Sequence, residues 1–386
     1  MRIYLTRTNP LRPRQWAGVS RYTACLLRAM RQQSRGVEFF APHFSLRGRP
    51  PGDAERLKAE FGVEIVTVRW PDFSGFAGYY EWLDRFVVPR VADRLGAQIV
   101  WGTNCGVPSS RGRRYRSVVT IHDLFLLEHP ELSDPAFHRH TLRQVRSLER
   151  GCDLVLTDSE LSREQIVAQL RFPRDRIVVT PLAPATTIVA TGQDHGAARV
   201  LARIGISPPF LLSVGTVEAR KNYLAGMQAF AELRTRLDAN LAWLIVGGRG
   251  WQAEAVDAER DRLGLSACVH IRHDVTDEEL AALYRAATCL FFPSPNEGFG
   301  LPAVEAFAHE LPVVAARAGA LPEVVGDAAE LVDPHSPTDM ANGLMRVIAD
   351  ASRRVELIAR GRERVRRFSW SAAAATVLDA FGRLIA

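Results

Sequence analysis

Short apolar runs alternate along this chain with longer segments whose apolar positions recur at helical spacing. In the first half the runs predict strands at Ile3–Thr6, Val37–Ala41, Val63–Val68, Gln98–Trp101, Val118–His122, Leu154–Asp158 and Ile177–Thr180. A second series follows at Phe210–Val214, Ala242–Val246, Val269–Arg272, Cys289–Pro293, Pro312–Ala315 and Glu330–Asp333. Between them, segments such as Tyr223–Arg236 and Asp277–Ala287 carry the helical period that gives a helix one apolar face. Strand and helix alternating over the whole length argue for α/β architecture with parallel sheets. The stretch Pro181–Ser207, rich in Pro, Ala, Thr and Gly, interrupts the alternation before a fresh strand at Phe210. We place a domain boundary there, giving residues 1–190 and 205–368, each a Rossmann-like unit with its own sheet. A ligand is then expected in the cleft between the carboxyl ends of the two sheets.

Composition narrows this picture without redirecting it. At 386 residues the chain is long for one core and comfortable for two. Hydrophobic residues make up 47% and charged residues 24%, an ordinary globular balance. No apolar run approaches the roughly 20 residues that span a bilayer. The opening Met1-Arg2-Ile3-Tyr4-Leu5-Thr6 turns polar too soon for a signal peptide and reads as a first strand, so the expected location is cytoplasmic. Cys25, Cys105, Cys152, Cys268 and Cys289 are scattered among apolar neighbours and are expected to be reduced core residues.

The net charge of +6 is moderately basic, but the 43 acidic residues are spread throughout, which disfavours a nucleic-acid-binding protein with a basic stripe. Of 49 lysines and arginines only Lys58 and Lys221 are lysine. A lysine that survives such a bias is a candidate for work needing a compact ammonium. No two aspartates are separated by one residue, so the paired aspartates that hold a divalent metal on a diphosphate are missing. A bound diphosphate would have to be neutralised by the protein's own cations and backbone amides.

Four segments carry the candidate chemistry. In Phe292-Pro-Ser-Pro-Asn-Glu297-Gly-Phe-Gly-Leu-Pro302-Ala-Val-Glu305-Ala-Phe-Ala, an apolar strand ends in a loop with two glycines, and a proline opens a helix. Glycines let a backbone approach a ligand, and free amides at a helix start favour an anion. Glu297 lies before the helix and Glu305 about two turns from it, so the two are not expected to share a proton as a dyad and suit two parts of one extended ligand. In Val214-Gly215-Thr216-Val217-Glu218-Ala219-Arg220-Lys221-Asn222, two adjacent cations precede a helix, where the dipole opposes them unless an anion is bound. This reads as a diphosphate clamp, against the alternative of a solvated pair. Thr120-Ile121-His122-Asp123 ends a strand where ligand contacts gather, although a strand-end histidine is often structural. Trp16-Ala17-Gly18-Val19-Ser20-Arg21-Tyr22 follows the first strand into a helix.

Together these segments resemble the family 4 glycosyltransferases, retaining enzymes with the two-Rossmann-domain GT-B fold. Glu297-x7-Glu305 looks like the family signature, and Pro312-Val-Val-Ala-Ala…Gly319-Ala-Leu-Pro322-Glu323-Val-Val-Gly326-Asp327-Ala continues it. The resemblance implies that Glu305 binds the ribose hydroxyls and that Glu297 lies by the transferred sugar. The amides of Phe299, Gly300 and Leu301 would hold donor hydroxyls or phosphate, and Arg220 and Lys221 the phosphates. His122 would face the transferred sugar. The Gly18 backbone would approach the phosphate, with Ala17 standing where the family has a first glycine.

The nucleobase is expected between Gly247-Gly248-Arg249-Gly250-Trp251 and Arg272-His273-Asp274, where Arg272-His273 departs from the family's usual pair. Thr157-Asp158-Ser159-Glu160-Leu161-Ser162 resembles the family's Ser-x-x-Ser junction and reads equally as a helix cap. Arg367-Phe368-Ser369-Trp370 resembles the point where the chain crosses back, so helix 369–386 is expected against the first domain. His138 and His140 read as surface residues.

The implied activity is retaining, metal-independent transfer of a mannose- or rhamnose-like hexose, with GDP-mannose or a GDP-deoxyhexose as donor and no resident cofactor. The acceptor would be a saccharide or a polyprenyl-pyrophosphate-linked oligosaccharide of surface polysaccharide synthesis. Arg111, Arg113, Arg114 and Arg116 offer a peripheral membrane contact. A GT-B phosphorylase or epimerase is the enzymatic alternative, and its pyridoxal phosphate lysine would have to be Lys221. The intact Arg220, Lys221, Glu297, Glu305 and His122 argue against a catalytically dead sensor.

Overall fold

The structure, a computed structural model, describes the chain apart from residues 8–10, 12–17, 71–78, 149–150, 186–196 and 238–239. Two compact units are present: Met1–Leu182 with Trp370–Ala386, and Ala183–Ser369. Part of the expected boundary stretch, and Trp16 and Ala17 of the first loop, lie outside the described residues.

The first unit holds a seven-stranded sheet in the order β3-β2-β1-β4-β5-β6-β7. Its strands are β1 Arg2–Leu5, β2 Glu38–Phe44, β3 Val63–Val68, β4 Ile99–Gly102, β5 Arg116–Ile121, β6 Leu154–Thr157 and β7 Ile177–Val179. All neighbours pair in parallel. A parallel sheet covered on both faces needs strands apolar on both sides, and β4 and β6 are buried along their whole length. The order reverses between β1 and β4, the switch point of this unit.

Every predicted strand is present, with ends moved by at most three residues. The largest change is β2, which runs past Pro42 to Phe44 and not to Ala41. Beyond Tyr4↔Phe40, β2 has no further register with β1, while its pairing with β3 continues to Phe44↔Val68. Pro42 therefore sits where one side of the strand is an edge, and its missing N–H breaks no ladder bond. The C-terminal helix Trp370–Ile385 belongs to this unit. Gln33, at the end of helix Gly18–Gln33, donates from Nε2 to Ser371 Oγ at 2.8 Å, and Trp101 meets Phe381 edge-on.

The second unit holds a six-stranded parallel sheet in the order β10-β9-β8-β11-β12-β13. Its strands are β8 Phe210–Val214, β9 Ala242–Val246, β10 Val269–Arg272, β11 Cys289–Phe292, β12 Val313–Ala316 and β13 Ala329–Val332. The helix Tyr223–Arg236 forms as predicted, and Asp277–Ala286 starts in a capping box between Thr276 and Glu279. Buried Trp243 centres the core, with the rings of Tyr223, Phe230 and Phe291 around it. Gly226 admits this packing, since a Cβ there would lie 2.9 Å from Trp243 Cη2. The order reverses between β8 and β11, and the two candidate segments of this unit leave the sheet at those strands.

Candidate active site

In the second unit the site is built from turns at that switch point. Gly215 leaves β8 at φ +151°, and a Cβ on Gly247 after β9 would meet the Gly215 carbonyl at 1.9 Å. The two strand ends thus approach as only glycine allows. The chain then makes a short helical turn, Ala219–Lys221, and Asn222 takes the left-handed conformation. Its Nδ2 donates to the carbonyls of Pro293 at 3.1 Å and Pro334 at 2.8 Å, tying this turn to the ends of β11 and β13.

That tether brings Lys221 Nζ to 2.5 Å from Glu297 Oε1, a pair in which Lys221 is only 8% exposed. Arg220 turns the other way, with Nε 2.5 Å from Glu218 Oε1. Burial pulls the Lys221 ammonium below its ordinary range, helped by Arg220 and opposed by Glu297. Burial pushes the Glu297 carboxyl up, but Lys221 and Arg220 outweigh it and hold the group below the usual carboxylate range. Glu297 therefore stays ionised between two cations.

The backbone of Glu297 is held by the downstream motif. Ala320 N–H donates to the Glu297 carbonyl at 2.9 Å. Gly319 sits at φ +57°, where a Cβ would come within 2.8 Å of the Glu297 nitrogen. Gly300 caps helix Leu301–Ala308 at φ +100°, with Leu321 Cδ2 2.5 Å from where its Cβ would be. Phe299, Gly300 and Leu301 are all buried. Glu305 lies one turn into the helix, fully buried, and accepts from the Tyr284 hydroxyl at 2.9 Å. The structure joins Lys221 and Glu297 through a direct pair, places neighbouring Arg220 on Glu218, and sets Glu305 against Tyr284.

At the ends of β9 and β10, His273 Nδ1–H donates to the Gly247 carbonyl at 2.5 Å. Arg272, the departure from the family pattern, donates to the Ile204 carbonyl at 2.7 Å and so closes the end of helix Ala197–Ile204. Arg249 pairs with Asp257 at 2.9 Å, and Trp251 is 40% exposed.

In the first unit, His122 follows β5 and Asp158 follows β6. The ladder pairs Ile121 with Thr157, so the next residue on each strand is brought to the same level. His122 Nδ1 lies 2.7 Å from Asp158 Oδ2 and its Nε2 3.3 Å from the Thr103 carbonyl, after β4. Burial opposes protonation of the imidazole, but Asp158, with Asp123 beside it, raises His122 above the ordinary histidine range. Burial pushes the Asp158 carboxyl up, against His122. The histidine direction agrees with the hydrogen bonds, since both ring nitrogens face acceptors and the doubly protonated ring satisfies both. Tyr22 from helix Gly18–Gln33 packs edge-on against the ring at 4.7 Å and bonds Thr120 Oγ1 at 3.1 Å.

Ser159 caps helix Glu160–Leu170, accepting from Ser162 N–H, and Ser162 Oγ donates to the His122 carbonyl at 3.3 Å. The cap and the support of His122 are thus one arrangement. Among the described residues, a Cβ on Gly18 would meet nothing within 4 Å. In the arginine cluster, Arg113 of the loop pairs with Asp93 at 3.2 Å, and Arg116 at the start of β5 with Asp153 at 3.7 Å. His140, read above as a surface residue, is half-buried and pairs with Glu81 at 2.9 Å; His138 is half-buried as well. For His140 the reason is the partner that Glu81 of helix Tyr79–Trp82 supplies. None of the five cysteines is in a disulfide, and four of them are buried.

Asp158 is the site residue that motif reading passed over. Its signal lay in the strand ends: two adjacent strands closing at Ile121 and Thr157 place the following residues side by side.

Residues 16–183 match the family model described as Glycosyltransferase Family 4, and residues 202–364 that described as Glycosyl transferases group 1. The chain is 30% identical to the O-antigen chain mannosyltransferase B of Escherichia coli, over 70% of this chain and 71% of that protein. It is 31% identical to a D-inositol 3-phosphate glycosyltransferase of Corynebacterium kroppenstedtii, over 69% of this chain and 62% of that one. The sucrose-phosphate synthase of Thermosynechococcus elongatus shares the fold at a TM-score of 0.74 and 18% identity, covering 100% of this chain and 99% of that chain.

Proposed function

Because the chain belongs to the family 4 glycosyltransferases of GT-B fold, we propose that it transfers a hexose, mannose or a close relative, from a GDP-linked donor with retention of configuration. The likeness to a mannosyltransferase of O-antigen chains supports the sugar and an acceptor that is a growing saccharide or lipid-linked oligosaccharide. The observation that carries the reading is the Lys221–Glu297 pair with Arg220 beside it, at the carboxyl end of β8 and β11. A switch point in a parallel sheet gathers phosphate contacts, and here it holds two cations on a turn tethered by Asn222.

In the proposed reaction the bond from the anomeric carbon to the diphosphate oxygen breaks. The acceptor oxygen bonds to that carbon on the same face, and its proton passes to the departing phosphate. Arg220 and Lys221 stabilise the charge that develops on the diphosphate, which lets the step proceed without a metal. Donor binding draws Lys221 from Glu297 toward phosphate, while the carboxylate receives a hydroxyl of the sugar. Glu305 exchanges its bond from Tyr284 for the ribose hydroxyls, the Phe299–Leu301 amides hold the donor, and His122 contacts the transferred sugar. Gly18 offers its backbone to the phosphate.

None of the described helices is long and apolar enough to cross a membrane. A lipid-linked acceptor would bring the protein to a membrane surface, and the exposed arginines Arg111, Arg113 and Arg114 of the loop before β5, with Arg116 at its first position, are the basic face proposed to meet it.

Lys221→Ala tests the clamp. Transfer from the nucleotide sugar is expected to fall roughly 100-fold or more, the scale for removing one preorganised charge from a departing group. Unchanged transfer and donor hydrolysis would remove the assignment. Activity is expected to persist in EDTA, and product NMR to show the donor's anomeric configuration.

A further inference from the structure

We propose that Asp158 is a positioning residue that fixes His122 as an imidazolium, so that His122 serves the transfer as a hydrogen-bond-donating cation and not as a base or nucleophile. The inference rests on the reading above that His122 works on the transferred sugar. Its physical ground is the strand-end geometry. Asp158 is 3% exposed, accepts from His122 Nδ1 at 2.7 Å through Oδ2, and leaves Oδ1 buried without a hydrogen-bond partner. A buried carboxylate with one oxygen unmatched is costly where only shape is needed, and a neutral side chain would serve packing better. What the carboxylate supplies is charge, delivered to one imidazole.

The other neighbours point the same way. Nε2 faces the Thr103 carbonyl at 3.3 Å, an acceptor only, so this nitrogen too must carry its proton to bond there. That contact is long, and the proton is the one a ligand oxygen can take over. The charged groups acting on the ring are Asp158 at the end of β6 and Asp123 on its own strand end, both acids. Tyr22, from helix Gly18–Gln33, is kept neutral by burial, and burial pushes the Cys105 thiol in the turn after β4 up to about 12. Ser162, from helix Glu160–Leu170, meets only the His122 backbone. Tyr22 packed edge-on and Asp158 at Nδ1 leave the ring one orientation. A ring with both nitrogens protonated has no lone pair with which to accept a proton or attack carbon.

The test uses the full chain labelled with 15N-histidine, with the His122 signals assigned by their loss in His122→Gln. In the ligand-free protein both ring nitrogens are expected to remain protonated above the ordinary histidine value of 6.5. In Asp158→Asn the ring is expected to titrate at or below that value, while Asp158→Glu, which keeps the charge, holds the proton. A wild-type His122 already neutral at that pH, or an unchanged titration in Asp158→Asn, overturns the proposal. If Asp158→Asn does not fold, the wild-type titration alone decides.

Transfer kinetics separate positioning from mere support. The high-pH decline of kcat should move to lower pH in Asp158→Asn, leaving a deficit of roughly tenfold or more on the alkaline side that shrinks toward acid. A deficit equal at every pH would mark Asp158 as structural and also overturn the proposal. A wild-type protein with no transferase activity would fail the functional reading while leaving the NMR result intact.

Discussion

The two candidate regions are built on the same plan and tuned in opposite directions. Each is a buried acid–base pair at the carboxyl end of a parallel sheet, His122–Asp158 in one unit and Lys221–Glu297 in the other. In the first, both residues follow directly on paired strands, so the ladder itself sets their separation. In the second, both sit on turns, and the separation is set by the Asn222 tether and by Ala320 holding the Glu297 carbonyl. The charge surroundings differ as well. Asp158 and Asp123 raise His122 against burial, whereas Lys221 and Arg220 lower Glu297 against burial. A strand-end pair of this kind holds one proton state in place. A turn-borne pair with a surplus cation can exchange partners when an anion arrives.

The largest effect expected from this contrast is on stability. Glu297→Ala would leave Lys221 buried beside Arg220 with its main counter-charge gone, and breaking a buried pair this way costs about 3–5 kcal/mol. Lys221→Ala should cost less, because Arg220 remains to serve the Glu297 carboxylate. Thermal and denaturant unfolding of the two variants check the order. If Lys221→Ala is the more damaging, Arg220 is not the second cation of this site.

The two pairs should also part company with pH. A histidine raised in the fold contributes stability that is present below its unfolded value and is lost as pH rises through the folded one. A carboxylate lowered in the fold contributes stability that is present above its unfolded value and is lost as pH falls through the folded one. Hydrogen exchange at the turns after β5 and β6 should therefore speed up, beyond the intrinsic rate change, as pH rises through the His122 transition. The Glu297 loop should loosen only in acid. Parallel behaviour in both places would mean that global stability, and not these pairs, sets the exchange.

How far the sequence revealed these regions follows from what each depends on. Strand positions were legible because parallel strands buried on both faces need continuous apolar runs, and β8 and β9 appear over the residues expected. The β2 end was not, because whether Pro42 breaks a strand depends on which neighbour stops pairing first. Lys221 and Glu297 were each visible in a local motif, but their contact is made across the β8–β11 neighbourhood, which no local spacing encodes. His122 was visible for the same local reason, and Asp158 was not, since its role comes from a partner on another strand. Arg272 looked like a ligand-facing departure and proves to hold a helix end.

The smallest expected effect on stability comes from glycine, where the two regions again differ. Gly319 is demanded by the fold, with a left-handed φ and the Glu297 backbone against its missing Cβ. At Gly18, the start of helix Gly18–Gln33, no positive φ requires glycine, and a Cβ would meet none of the described residues within 4 Å. Gly18→Ala should thus leave stability unchanged or raise it by up to about 1 kcal/mol, the gain in helix propensity over glycine. If its backbone approaches the donor phosphate as proposed, the same methyl should weaken nucleotide-sugar binding, read as a smaller ligand-induced rise in Tm. A variant with normal stability and normal donor shift would show that the approach is made elsewhere in that loop. A destabilised variant would show instead that the fold does require glycine at this position.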